Sequence, residues 1–153
     1  MLRFSLYQVF PNSRVYPSFD GEPEPRRSLL SGFLMDFYGQ EALCLADIAK
    51  AEAGETILDL YNNLIDVQLY PDGRVILEEL RYNAEDEAER GPPARTELTL
   101  AETKQLILDY LAAKKEWRAQ QAATDVAPAT NPAAGSVAPD TTAQLPINTK
   151  APP

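Results

Sequence analysis

At residues 65–80 the chain reads IDVQLYPDGRVILEEL, two apolar stretches joined by a short polar one. Ile65, Val67 and Leu69 alternate with polar residues, which is the pattern of a strand with one buried face. Residues 71–73 favour a turn, because proline presets φ and glycine accepts a positive φ. The apolar residues that follow then return as a second strand. The stretch predicts an antiparallel β-hairpin at the centre of the fold.

Shorter signals flank the hairpin. The pattern predicts, in chain order, a strand over 3–9, an edge strand over 14–16 that Pro17 stops, a polar loop over 20–25, helices over 28–37 and 43–53, and a strand over 56–61. In the second helix Leu45, Ile48 and Ala49 share one face. Gly54 follows that helix where a left-handed C-cap favours glycine. Residues 83–93 are too polar and too rich in proline to predict an element.

Thr99 and Glu102 have the spacing of a capping box, in which the hydroxyl and the carboxylate each accept a backbone N–H. Residues of one face follow at three- and four-residue spacing, with Leu106 beside them: Leu100, Thr103, Ile107, Tyr110, Leu111, Lys114 and Trp117. This spacing predicts an amphipathic helix of about 20 residues that ends at Arg118 or shortly after. The predicted fold class is α+β, a small antiparallel sheet with a central hairpin, helices on one face and a C-terminal amphipathic helix.

A change of composition near residue 122 divides the chain. Among the 31 residues of 123–153 there are eight Ala, six Pro and five Thr. Such a segment lacks the apolar surface to offset ordering costs of about 1–2 kcal/mol per residue. We therefore expect one globular domain over 1–122 and a disordered tail rich in Ala, Pro and Thr over 123–153.

Composition excludes several classes of function. The 153 residues include one Cys and no His, which leaves no Ser/His/Asp or Cys/His catalytic pair, no His-ligated metal and no internal disulfide. With 14 Lys and Arg against 23 Asp and Glu, the net charge is -9, so a phosphate backbone or an anionic membrane surface repels the chain. We expect a cytoplasmic protein that is not an enzyme, holds no cofactor or metal, and binds neither nucleic acid nor membrane.

Acidic residues concentrate around the hairpin and after it. The candidate partner-binding residues are Asp66, Glu78, Glu79, Glu85, Asp86, Glu87 and Glu89. A surface of this kind attracts a basic protein over long range and raises its association rate. The alternative is a solvated loop without a partner. A hard-cation site fits poorly, since the stretch lacks the alternating oxygen ligands and the central glycine of a calcium loop.

Several stretches of the central chain share a pattern with a known class of protein. They are LDLYNN at 58–63, YPDGRV at 70–75, the acidic stretch, and LTLAE at 98–102, which opens a helix through Leu106 and Leu108. Together they resemble bacterial toxin-immunity proteins, particularly those of contact-dependent growth inhibition systems. The resemblance implies a non-catalytic inhibitor that binds one cognate toxin, often a basic nuclease, and covers its active site.

Two other functions stay open. A secretion chaperone is a small acidic α+β dimer that binds an extended segment of an effector. A carboxylate-based hydrolase would use two acids held at a set separation in a cleft, and Asp59, Asp66 and Asp72 are the acids in or near strands. Their spacing does not require this role. Cys44 lies among apolar residues and is expected to pack in the core as a small hydrophobe.

Overall fold

The computed structural model describes residues 1–81 and 83–129, and the chain divides into two units, Met1–Lys114 and Lys115–Pro153. The elements in chain order are β1 (Ser5–Tyr7), β2 (Tyr16–Ser18), α1 (Arg26–Asp36), α2 (Glu41–Glu52), β3 (Ile57–Tyr61), β4 (Ile65–Leu69), β5 (Arg74–Glu79), α3 (Ala84–Arg90), β6 (Arg95–Thr99) and α4 (Leu100–Ala129). They form a two-stranded sheet, β1–β2, and a four-stranded antiparallel sheet in the order β3–β4–β5–β6. The predicted α+β class is confirmed.

The predicted hairpin is formed by β4 and β5. Ile65 lies opposite Glu79 and Leu69 opposite Val75, so every residue of β4 is paired with β5. Every second residue of β4 is buried, and Gly73 in the turn has a φ of 100°. The alternation of apolar and polar residues therefore predicted both the pairing and the buried face.

β6, the last strand of the sheet, was not predicted from the sequence. β6 pairs antiparallel with β5, and Leu98, opposite Val75, is its one buried residue. A strand with one buried side chain shows no alternation of apolar residues. Pairing with β5, rather than its own sequence, makes this segment a strand.

The hydrophobic core lies on one face of the four-stranded sheet. It joins the sheet to α1, α2 and α4, and its fully buried members include Leu30, Phe33, Ile48, Val67, Leu77, Leu106 and Tyr110. A Cβ at Gly32 would lie 3.2 Å from Ile65 Cδ1. Glycine in the middle of α1 therefore permits a close approach of this helix to β4.

The two-stranded sheet pairs Leu6 with Pro17, so β2 continues through the proline that was predicted to stop it. Both strands of such a sheet are edges, where a missing backbone N–H is tolerated. The Tyr110 hydroxyl donates to the Val15 carbonyl at 2.6 Å and connects α4 with the segment before β2.

The two predicted helices are α1 and α2, but the buried face of α2 differs from the prediction. Cys44, Ile48 and Ala51 are buried together with Glu41, whereas Ala49 is exposed. The helix turns a charged residue inward because Lys114 of α4 provides an ionic partner there.

Residues 84–90 form α3, although their composition argued against an element. The Asn83 side chain accepts a hydrogen bond from the backbone N–H of Asp86 at 2.8 Å and caps the helix. Acids in the first turn and Arg90 in the last turn suit the helix dipole. No side chain of α3 is buried, so the apolar periodicity of most helices is missing.

The capping box at the start of α4 is confirmed. The Thr99 N–H donates to Glu102 Oε2 at 2.8 Å, and the Glu102 N–H donates to Thr99 Oγ1 at 3.0 Å. The helix continues to Ala129, past the predicted end at Arg118, so residues 123–129 are helical where a tail was predicted. The rest of that predicted tail, 130–153, lies outside the described residues. Within the described ranges, 1–81 and 83–129, no helix combines the length and the apolar composition that crossing a membrane requires.

Candidate acidic surface and apolar groove

The predicted acidic residues fall into two groups on opposite faces of the sheet. Glu79 lies opposite Ile65, a core residue, and therefore faces the helices. Glu78 faces the other way and lies directly opposite Asp66. The separation follows from strand geometry, since successive side chains point to opposite faces.

The first group, Asp66 and Glu78, lies on the face away from the core. Asp66 Oδ2 accepts a hydrogen bond from Gln68 Nε2 at 2.8 Å, and Tyr70 donates to Gln68 Oε1 at 3.1 Å. Arg95 Nη1 lies 3.8 Å from Glu78 Oε2. These contacts bind the polar side chains of this face to one another, and the charge of Glu78 is partly neutralised.

The second group gathers Glu79 and α3. Glu79 Oε1 lies 2.5 Å from Arg81 Nη1 and also pairs with Arg90, which reaches Asp86 at 3.3 Å as well. The hydrogen bond with Arg81 is the largest influence on the pKa of Glu79 and, with the charge of Arg90, lowers it below the ordinary value. Glu79 is thus held ionised, which suits an ionic contact and not a general acid.

Three acids of α3 differ from the rest. Glu85, Glu87 and Glu89 are exposed and form no ion pair within the described part of the first unit. Their charges act on the solvent and on whatever approaches α3. Within the described residues these three form no ion pair, although the charge of Glu87 also acts on the nearby guanidinium of Arg81.

An apolar groove of about 330 Å³ opens beside this group. Its lining comes from α1, the β3–β4 turn, the end of β5 and the segment around α3, and comprises Pro25, Ser28, Leu29, Gly32, Asn63, Leu64, Ile65, Glu79, Leu80, Arg90 and Ala94. Leu64 is 56% exposed at its edge. We call this feature the Leu64 groove; the ion pair between Glu79 and Arg90 forms part of its wall.

Asp36 holds the turn that carries Leu64. Its Oδ2 accepts hydrogen bonds from the backbone N–H groups of Asn63, Leu64 and Ile65 at 2.9, 3.0 and 3.2 Å. The Asn62 side chain donates to the Asp36 carbonyl at 2.7 Å. The turn that carries the exposed leucine is therefore tied to the end of α1 by hydrogen bonds in both directions.

Sequence reasoning did not identify the Leu64 groove or Asp36. The one local signal was Leu64 itself, an apolar residue that interrupts the alternation just before β4. The carboxylate of Asp36 reaches a turn far along the chain, and no spacing rule connects the two.

Chemical reactivity is limited at the other groups considered. Burial, followed by the charges of Asp47 and Glu41, raises the pKa of Cys44 to about 12, so its thiol stays protonated. The described residues contain no cluster of three or more Cys, Asp or Glu side chains that would hold a metal ion. Asp66 and Asp72 take part in strand and turn contacts, and neither lines the Leu64 groove.

Comparison with known proteins places the chain in no family. No protein-family profile, curated protein or solved structure matches it significantly. Any function therefore has to be argued from the geometry of this chain.

Proposed function

We propose that this protein binds a basic protein partner through the Leu64 groove and the adjacent α3 helix, and that binding neutralises the partner. The observation that carries the proposal is that α3 exposes three acids, Glu85, Glu87 and Glu89, and that its last residue, Arg90, lines an apolar groove. Apolar contacts at the centre of an interface supply most of its affinity, and charges at its rim supply attraction and orientation.

The charge of the first unit supports a basic partner. Residues 1–114 contain 20 Asp and Glu against 11 Lys and Arg, a net charge of -9. Most of these bases are already paired with carboxylates, so few are left to balance the remaining acids. A field of this sign raises the encounter rate with a cationic protein and loses strength over about 8–10 Å at physiological salt.

The resemblance to toxin-immunity proteins indicates what the binding would do to the partner. An immunity protein acts by covering the active site of its toxin, and many such toxins are basic nucleases. The proposal places the chain in the cytoplasm, where a nuclease toxin meets its substrate. It requires no catalytic group, in agreement with the paired state of Glu79 and the protonated thiol of Cys44.

The experiment begins with capture of partners by the tagged full chain, followed by binding kinetics with the purified partner at two salt concentrations. In the first variant, Glu85, Glu87 and Glu89 become Gln. We expect association to slow severalfold at low salt and its salt dependence to flatten, while dissociation changes little. A control with the same loss of charge replaces Glu55, Asp59 and Glu97, which are exposed and lie outside α3, and should leave the association rate higher than the α3 variant does.

A second variant, Leu64→Asp, tests the groove. Dissociation should become about tenfold faster or more, because the change replaces an apolar contact that the partner buries with a charge. Addition of the wild-type chain in equal amount should abolish the toxicity or nuclease activity of the partner. Capture of an extended effector segment by a dimer of this chain would instead favour a secretion chaperone, and kinetics unchanged in both variants would overturn the proposal.

A further inference from the structure

The bases of the first unit are almost all engaged with carboxylates. Within the described residues of Met1–Lys114, nine of the eleven Lys and Arg form ion pairs, namely Arg26, Arg27, Lys50, Arg74, Arg81, Arg90, Arg95, Lys104 and Lys114. Arg3 and Arg14 form none there. In a unit with 20 acids, a guanidinium without a carboxylate partner is unusual, and its N–H groups are available to a ligand.

Arg14 lies at a polar cavity of about 350 Å³, which we call the Arg14 cavity. The cavity lies between the start of β2, the end of α1 and the β3–β4 turn, and its lining is Arg14, Tyr16, Met35, Asp36, Tyr38, Gln40, Asn62, Asn63 and Leu64. Hydroxyl and amide groups predominate among these side chains. Its size is at the lower end of the range for small-ligand sites.

The position of the Arg14 guanidinium is set by an aromatic ring. Its central carbon lies 5.1 Å from the centre of the Tyr38 ring, a cation–π contact that leaves the N–H groups at the edge of the guanidinium plane able to donate. The same ring is 4.2 Å from Lys114 Nζ. Lys114, however, is committed to Glu41 at 2.5 Å, so Arg14 is the cation that this cavity presents to a ligand.

We propose that the Arg14 cavity binds a carboxylate group. A guanidinium matches a carboxylate with two parallel hydrogen bonds, and the neighbouring hydroxyl and amide groups of Tyr16 and Gln40 supply further donors. One cation balances one negative charge. A phosphate dianion is less favoured than a carboxylate, because its second negative charge is not balanced by Arg14 and is repelled by the carboxylate of Asp36, which lines the same cavity.

The carboxylate could belong to either of two kinds of molecule, a free organic acid or a protein chain.

This inference goes beyond the proposed function and does not depend on it, since the Arg14 cavity binds a negative charge whereas α3 attracts a positive one. The two sites share Asn63 and Leu64 at their common edge. Variants at Arg14 therefore test the cavity, while variants on α3 test the partner surface.

The test uses the full chain labelled with ¹⁵N and titrated in an NMR experiment at constant ionic strength. The probes are benzoate, a short peptide with a free C-terminal carboxylate, the same peptide with an amidated C-terminus, and inorganic phosphate. We expect saturable shifts of the resonances around Arg14 and the β3–β4 turn with benzoate or the free-acid peptide, and none with the amidated peptide. Tighter binding of the peptide indicates a protein carboxylate, and tighter binding of benzoate indicates a small acid.

The decisive variants are Arg14→Gln and Arg3→Gln, which remove the same charge from the two bases that form no ion pair within the described residues of the first unit. Binding should weaken about ten- to a hundredfold in R14Q, as expected for loss of a charged hydrogen-bond partner, and should persist in R3Q. The spectrum without probe reports whether each variant is folded. Equal binding in wild type and R14Q, equal loss in both variants, or tighter binding of phosphate than of either carboxylate would each overturn the proposal.

Discussion

The Lys114 ammonium lies 2.5 Å from Glu41 Oε2, and both side chains are buried, with 4% and 8% of their surface exposed. Lys114 Nζ also lies 4.6 Å from the centre of the Tyr110 ring, within the range of a cation–π contact. A charge at such a site depends on its partner, because its own hydration has been lost. The pair connects the start of α2 with α4 across 73 residues of sequence.

A mutant cycle measures this dependence. Glu41→Leu and Lys114→Met should each lower the free energy of unfolding by about 3–5 kcal/mol, because each leaves one buried charge without its partner. The double variant E41L/K114M should lose much less than the sum of the single changes. Urea denaturation of all four proteins gives the values, and strict additivity would show that the two charges are not coupled.

The same pair contributes to the acid sensitivity of the protein. Burial alone would raise the pKa of Glu41, but the hydrogen bond from Lys114, two backbone hydrogen bonds and the lysine charge outweigh it and lower the pKa. A carboxylate with a lowered folded pKa adds stability that is present above its unfolded pKa and lost as pH falls through the folded one.

We therefore expect the free energy of unfolding to fall as pH drops below the ordinary value of 4.5 for a glutamate. Glu79, whose pKa is lowered chiefly by Arg81, should contribute in the same direction. The E41L/K114M variant should show a shallower decline than wild type. Thermal unfolding between pH 3 and 7 provides the comparison, and identical profiles would assign the acid sensitivity to other carboxylates.

The side-chain N-caps at Thr99 and Asn83 begin helices that differ in how much they bury. Thr99→Ala should reduce the free energy of unfolding by about 0.5–2 kcal/mol, because it removes the hydroxyl that accepts the Glu102 N–H of a helix anchored in the core. Asn83→Ala removes the corresponding cap of α3, which buries no side chain, and should change global stability by less. Chemical denaturation of both variants checks this order. The reverse order would mean that α3 unfolds together with the core.

Gly32 tests the close contact of α1 with β4. In Gly32→Ala, the better helix propensity is worth about 0.5–1 kcal/mol, and the new methyl lies 3.2 Å from the buried Ile65 side chain. Overpacking usually costs about 1–3 kcal/mol, so we expect a net loss of stability. Combining the change with Ile65→Val removes the nearest atom and should recover part of that loss. A gain in melting temperature for G32A would show that Ile65 moves aside freely.

Cys44 serves as a probe of opening motions. Its thiol is 3% exposed and its pKa is raised to about 12, mainly by burial. Reaction with a thiol reagent at pH 8 should therefore proceed only as fast as the protein opens, and should become rapid in denaturant. The absorbance of the released product measures the rate of modification. Rapid modification under native conditions would place Cys44 in a segment that opens locally.

Local sequence determined the elements whose stabilising contacts are themselves local. The hairpin of β4 and β5 follows from alternating apolar residues and a glycine in the turn, and the start of α4 follows from Thr99 and Glu102, three residues apart. The buried face of α4 could likewise be predicted, including the position of Lys114 on it. These features depend on periodicity and capping, which act within a few residues.

Contacts between distant segments decided the rest. β6 is a strand because β5 is beside it, and Glu41 is buried because Lys114 provides a charge at that place. The two groups of acids are separated because β5 sends Glu78 and Glu79 to opposite faces of a sheet. The Leu64 groove is formed by segments far apart in the chain, held by the carboxylate of Asp36. Local patterns report the preferences of one segment, whereas burial and charge pairing depend on which segments the folded chain brings together.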